Sequence, residues 1–161
     1  MVSVRRATAA DAAFLGRMLA LAADWRAIAP PPPVDEILQR PGTGHYIARW
    51  PQAGDVGFVA ESDASIGAAW WRFFTRDDPG YGFVDEATPE LSVAVSPDWR
   101  GKGVGASLLQ ALCEEARRLN MPALSLSVDP QNRAAHLYRR FGFHGVGRRG
   151  TSLTMVLAFG T

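Results

Sequence analysis

The chain has 161 residues, 47% of them hydrophobic and 20% charged, with a formal net charge of +1; this fits one soluble globular domain with a sizeable core and is too weakly charged for bulk nucleic-acid binding. No apolar run approaches the roughly 20 residues of a membrane span, and Met1-Val2-Ser3-Val4-Arg5-Arg6 is not followed by the long apolar region of a secretory signal. The single cysteine, Cys113, excludes an internal disulfide framework, so the expected setting is the cytoplasm.

Val2 to Arg6 reads as a short strand. Asp11 is a plausible N-cap for an Ala/Leu-rich helix running to about Trp25. Pro30 to Pro33 forbid helix and imply an extended loop. Val34 to Gln39 fits a second short helix, ended by Pro41-Gly42. Gly57 to Glu61 and Ile66 to Phe74 read as strands joined by the turn Ser62-Asp63-Ala64-Ser65. Thr75 to Pro89, with Asp-Asp-Pro-Gly and Tyr-Gly, reads as a loop. Glu90 to Ser96 alternates, with Leu91, Val93 and Val95 on one face, so it is a strand.

A glycine-rich turn follows Pro97 and opens a helix from about Val104 to Leu119, with Val104, Leu108, Leu112, Ala116 and Leu119 on its buried face. Ala123 to Val128 is a strand. Asn132 to Phe141 is a helix closed by Gly142. Phe143 to Val146 and Ser152 to Phe159 are strands around an Arg-Arg-Gly turn. This order is no regular βαβ alternation; it predicts a mixed sheet with helices on both faces.

The richest segment is Val93-Ala94-Val95-Ser96-Pro97-Asp98-Trp99-Arg100-Gly101-Lys102-Gly103-Val104-Gly105-Ala106-Ser107. A strand runs into a turn with three glycines, and the turn opens a helix. Glycine permits positive φ and close backbone approach to a ligand. The free N–H groups of a first helical turn, with the helix dipole, attract phosphate. Arg100 and Lys102 add formal charge, and the segment lies in the basic part of the chain: residues 91–161 carry 9 Lys/Arg against 4 Asp/Glu, residues 1–90 carry 8 against 12. The reading is an anion, most simply a pyrophosphate, at Arg100–Ser107; the bland alternative is a turn chosen for tight packing. P-loop spacing is absent. Gly101-x-Gly103-x-x-Ala106 matches a dinucleotide fingerprint literally, with Asp129 near the place of its ribose acid, but Pro97 to Arg100 separate strand from turn and the repeated βαβ units are missing.

Arg100-x-x-Gly103-x-Gly105, after a strand ending Val93-Ala94-Val95, resembles the acetyl-CoA pyrophosphate loop of the GNAT superfamily. Some thirty residues later Asn132-Arg-Ala-Ala-His-Leu-Tyr138-Arg-Arg-Phe-Gly142-Phe143 resembles that superfamily's Asn…Ala…Leu-Tyr…Gly-Phe element. The resemblance is firm over residues 90–146 and looser elsewhere. It implies a GNAT-like α/β (α+β) fold over residues 1–161 as a single domain, with a mixed, mostly antiparallel sheet of six to seven strands and about four helices. It implies an N-acetyltransferase moving acetyl from acetyl-CoA, as co-substrate, directly to a primary amine. Backbone groups of Val93, Ala94 and Val95 would pair with the pantetheine arm, and the Val95 N–H would polarise the thioester carbonyl. The diphosphate would lie on Arg100, Gly101, Lys102, Gly103, Val104, Gly105, Ala106 and Ser107.

By the same resemblance Tyr138 would protonate the departing thiolate; alternatively it is a core tyrosine. Asn132 would bond the pantetheine arm, or serve as an N-cap after Asp129-Pro130. A lysine-like amine of pKa about 10.4 is neutral in only about one molecule in two thousand at pH 7, so a base is needed. Glu90 is the best carboxylate, directly or through water; its alternative is a solvated strand end. Asp77, Asp78, Asp85 and Glu86, with Glu90, either line the acceptor side or form a solvated loop. Of Trp70 and Trp71, at most one faces a given pocket, and Phe73 and Tyr81 are further aromatic candidates. Trp25 and Trp99 carry no role. His45, His136, His144 and Cys113 lack metal-ligand spacing, so no metal is expected. The acidic, aromatic front points to a small cationic amine as partner, with no nucleic acid or membrane. Analogy with the superfamily allows a homodimer. An acyl-CoA sensor, and a transferase for another acyl chain or for a protein amine, are the competing functions.

Overall fold

The computed structural model describes residues 1–23 and 33–160. Trp25 and Pro30 to Pro32 lie outside the described residues. The elements are β1 (Ser3–Arg6), α1 (Ala12–Ala23), α2 (Val34–Gln39), β2 (Val56–Glu61), β3 (Ser65–Arg72), β4 (Glu90–Val95), α3 (Val104–Arg118), β5 (Ala123–Val128), α4 (Ala134–Arg140), β6 (His144–Arg149) and β7 (Ser152–Ala158). The seven strands form one sheet in the order β1-β2-β3-β4-β5-β7-β6. β1–β2, β2–β3, β5–β7 and β6–β7 are antiparallel, and β4–β5 is parallel through Glu90 opposite Ser125. The mixed, mostly antiparallel architecture expected from the sequence is therefore present.

The chain packs as two compact units. The first comprises Met1–Trp71 and Ser92–Cys113, the second Arg72–Leu91 and Glu114–Thr161.

In the first unit the cap differs from the sequence reading. Thr8, not Asp11, caps the helical entry: its side chain accepts from the Ala10 N–H, and the Asp11 carboxylate reaches back to the Thr8 N–H at 2.7 Å. This reciprocal box satisfies two donors that a helix start leaves open. Asp11 also receives two bonds from the Arg5 guanidinium, at 2.9 and 2.7 Å, which fasten β1 to the helix. The core holds Leu15, Ile37, Val59, Leu108, Leu109 and Leu112, all fully buried. Gly67 lets α3 approach the sheet: a Cβ there would meet Ala94 O and Leu108 Cδ1 at 3.2 Å and Val104 Cγ1 at 3.3 Å.

In the second unit, β5 and β7 bury Leu124, Leu126 and Met155, and Arg149 Nη1 donates to Gly80 O at 2.9 Å, tying β6 to the loop after β3. β6 runs through Arg148 and Arg149, so the reversal falls on Gly150-Thr151 rather than on the arginines. Leu119 is exposed rather than part of α3's buried face. α3 ends at Arg118, and Asn120 takes φ +57° with Met121 N–H bonded to Ala116 O, a reversed cap that turns Leu119 outward. β3 stops at Arg72, two residues before its expected end.

Candidate functional site

The glycine-rich turn belongs wholly to the first unit. After β4 the chain makes a 3-10 turn over Pro97–Trp99 and reverses through Gly101 (φ +75°) and Gly103 (φ +84°) into α3. Among the described residues, chain neighbours aside, no atom lies within 4 Å of a Cβ built on either glycine, so both are required by backbone conformation and not by crowding. Gly105 sits inside the first helical turn without a positive φ, so it does not share that reason. The first bond closing α3 runs from Ser107 N–H to Gly103 O at 3.1 Å. The N–H groups of Val104, Gly105 and Ala106 precede it and lack a helical acceptor. These are the donors an anion would use at the positive end of a 15-residue helix.

The side chains of the turn fold back on it. Arg100 Nε donates to Val95 O at 3.2 Å, bracing the turn against the end of β4. Lys102 Nζ lies 5.2 Å from the centre of the Trp99 ring, a cation–π contact that parks the ammonium over the turn. Trp99 thus has a part that sequence reasoning missed; a tryptophan three residues before a lysine in a glycine-rich turn was the available signal. The Ser107 hydroxyl donates to Gly103 O at 3.1 Å and so serves the helix start. Ala94 is buried, while Val93 and Val95 are half-buried. A separate cavity of about 440 Å³ in this unit is lined by Phe14, Arg17, Met18, Val34, Ser65 and Ser96; no residue given a role above lines it.

Trp70 and Trp71 do face opposite sides, and both are buried. Trp70 Nε1 donates to Tyr46 O at 3.0 Å and Trp71 Nε1 to Gly54 O at 2.9 Å. An aromatic wall from either is excluded, because both rings are consumed by packing and by these bonds.

The second unit carries the acid–base candidates. Glu90 opens β4 and is only 3% exposed, which overturns the reading of a solvated strand end. Its register partner on β5 is Ser125, which is completely buried. Asp77, Asp78, Asp85 and Glu86 are exposed on the loop after β3. Asp85 accepts from Ala87 N–H at 2.9 Å and Glu86 from Arg76 N–H at 3.0 Å, so these two partly serve their own loop. Tyr81 is exposed and Phe73 half-buried.

Tyr138 is buried on α4, and burial pushes its phenol up to about 12. The helix end explains the spacing around it. Phe143 N–H bonds Tyr138 O at 3.1 Å and Gly142 N–H bonds Arg139 O at 3.0 Å, with Gly142 at φ +102°. This Schellman pattern brings the Phe143 ring to 6.0 Å from the Tyr138 ring, edge to face, and fixes the tyrosine's direction. Asn132 lies two residues before α4, which starts at Ala134 with Arg133, not Asn132, at the N-cap position and no side-chain capping bond; the Asn132 Oδ1 instead accepts from Ala134 N–H at 3.0 Å, a local turn leading into the helix. Among the described residues no helix is long and apolar enough to cross a membrane.

Comparison with known proteins places these features in a class. The model of the acetyltransferase (GNAT) family matches residues 19–143, a span that includes the glycine turn, Glu90, Asn132 and Tyr138. The chain belongs to the GNAT family of acetyltransferases. It is 42% identical over 98 residues, 60% of this chain and 48% of the relative, to the L-methionine sulfoximine/L-methionine sulfone acetyltransferase of Pseudomonas aeruginosa. It is 30% identical over 129 residues, 76% of this chain and 38% of the relative, to a mycothiol acetyltransferase of Nocardiopsis dassonvillei. The chain spans less than half the length of these curated relatives. Its fold is like that of an acetyltransferase from Salmonella typhimurium solved with its cofactor acetyl-CoA, with a TM-score of 0.69, 24% identity, and 98% of this chain and 93% of that one covered.

Proposed function

We propose that residues 1–161 act as one catalytic domain that transfers an acetyl group from acetyl-CoA directly to a primary amine of a small molecule. The observation that carries this is the turn at Gly101 and Gly103, whose positive φ values lead the chain into the first N–H groups of α3, which have no helical acceptor. That donor set suits a diphosphate: several main-chain dipoles at a helix start, with Arg100 and Lys102 alongside. Backbone groups of Val93, Ala94 and Val95 hold the pantetheine arm, and the Val95 N–H polarises the thioester carbonyl.

In the reaction the acceptor ammonium loses a proton to Glu90, directly or through water. The neutral nitrogen attacks the carbonyl carbon and the C–N bond forms; the nitrogen, now carrying one proton too many, releases it to solvent as the C–S bond breaks. Coenzyme A leaves as a thiolate and takes a proton from Tyr138. Burial keeps Tyr138 protonated at neutral pH. Tyr138 donates a hydrogen bond to the developing thiolate, gives it the proton, and is reprotonated from solvent once the product has left.

For the acceptor, the exposed acids Asp77, Asp78, Asp85 and Glu86 support a small cationic amine. A second reading, an amino-acid-like amine, is supported by the 42% identity to the methionine sulfoximine acetyltransferase. The test is coenzyme A release from acetyl-CoA across a panel of polyamines, aminoglycosides and amino acid derivatives, repeated with Glu90→Gln and Tyr138→Phe. Amine-dependent release that falls in both variants is expected. Acetyl-CoA binding without release for any amine would instead make the chain a sensor.

A further inference from the structure

We propose that Ser125 is a positioning residue for Glu90, its hydroxyl holding the water that carries the acceptor's proton to the carboxylate. This rests on the reading of Glu90 as the base. Ser125 and Glu90 are register partners on parallel neighbouring strands, so their side chains leave the same face of the sheet. β5 alternates Leu124, Ser125, Leu126, Ser127, Val128, with both leucines and Val128 buried on one face. Ser125 points to the other face and is nonetheless 0% exposed.

Among the described residues its Oγ has no hydrogen-bond partner. Burying a hydroxyl without a partner is costly, and such groups in native proteins mark an ordered water or a catalytic role. The lateral neighbours of Ser125 are Glu90 on β4 and Val156 on β7; of these two, Glu90 is the polar one. Packing alone would be met by alanine. A water at roughly 2.8 Å from each group spans the gap between a short hydroxyl and a carboxylate one strand away.

The proton balance is simple. The ammonium N–H bond breaks as an O–H bond forms on the water, and the water passes one of its own protons to a Glu90 oxygen. Ser125 keeps its proton and donates it to the water oxygen throughout, holding that oxygen in line.

Two measurements decide the matter. A crystal structure of the wild-type protein at high resolution is expected to show a water within about 3.2 Å of both Ser125 Oγ and the Glu90 carboxylate. A Ser125 hydroxyl that is dry, or bonded only to backbone, overturns the proposal, whatever the acceptor. With the amine that gives the fastest coenzyme A release, Ser125→Ala should lower kcat about tenfold, part of the roughly 10²–10⁴ a positioned base supplies, and leave KM for acetyl-CoA unchanged. Its melting temperature should be unchanged or higher. Added to Glu90→Gln, it should cost nothing more, because both act on one proton path. Slow Glu90→Gln with normal Ser125→Ala defeats this inference alone; normal turnover in Glu90→Gln defeats it together with the general-base reading.

Discussion

Replacing Gly103 by valine separates backbone conformation from charge at the coenzyme turn. At φ +84° an L-residue is strained by about 1–3 kcal/mol, and a β-branched one lies at the high end. Among the described residues, chain neighbours aside, no atom lies within 4 Å of the added Cβ, so the effect is purely conformational. Gly101, Lys102 and Gly103 are all exposed, so the turn is free to relieve the strain by rotating its peptide planes. Rotation misdirects main-chain N–H groups aimed at the diphosphate. Losing one or two bonds to a charged acceptor, at about 1.5–3 kcal/mol each, raises Kd by roughly a hundredfold. Lys102→Ala removes a solvent-exposed cation already engaged with Trp99 and should cost only about two- to fivefold. Gly105→Val, at a helical φ, should weaken binding only through its bulk against the ligand. Isothermal titration calorimetry with coenzyme A, with circular dichroism as the folding control, measures all three. If Gly103→Val binds within twofold of wild type while folded, the turn does not hold the diphosphate.

Tyr138→Phe should lower kcat by about 10²-fold with little change in KM for acetyl-CoA; an unchanged rate removes the proposed proton donor. Because the folded phenol is raised to about 12 from 10.0, its contribution to stability is complete below pH 10 and lost as pH rises from 10 to 12. Denaturant melts of wild type and Tyr138→Phe should diverge over that window, and parallel curves would contradict the burial argument. Asp11→Ala should cost about 1–2 kcal/mol at pH 7 through loss of the acceptor for the Thr8 N–H, the reciprocal half of the capping box, and of the partly exposed Arg5 pair. The Arg5 guanidinium, and then the Thr8 N–H, hold the Asp11 carboxyl below its usual value against the opposing effect of burial. The stabilisation is therefore present above the ordinary carboxylate range and fades under acid, so urea melts of the two proteins should converge as the pH falls below that range. Trp70→Phe removes the donor to Tyr46 O and part of a filled core, and should cost about 1–3 kcal/mol in the same assay; a neutral result would show that the carbonyl finds another donor.

What the sequence alone determined is the order of elements and the glycine turn. Those signals are local: alternation in β4, the helical period from Val104, and glycines at a strand-to-helix junction act within a few residues. The Gly142-Phe143 ending of α4 was legible for the same reason, since a Schellman cap spans six residues. Local signals were less able to choose between close competitors, so Thr8 displaced Asp11 as the cap and Asn120 ended α3 before Leu119 could be buried. Burial was decided only by tertiary packing. Glu90 at a strand end is solvated or buried according to what lies beside β4, and Trp70 and Trp71 are both core because both faces of β3 are covered. Ser125 is unremarkable in the sequence and becomes interesting only as the register partner of a buried carboxylate. Which side chain loses water depends on neighbours distant in the chain, and no short-range pattern encodes that.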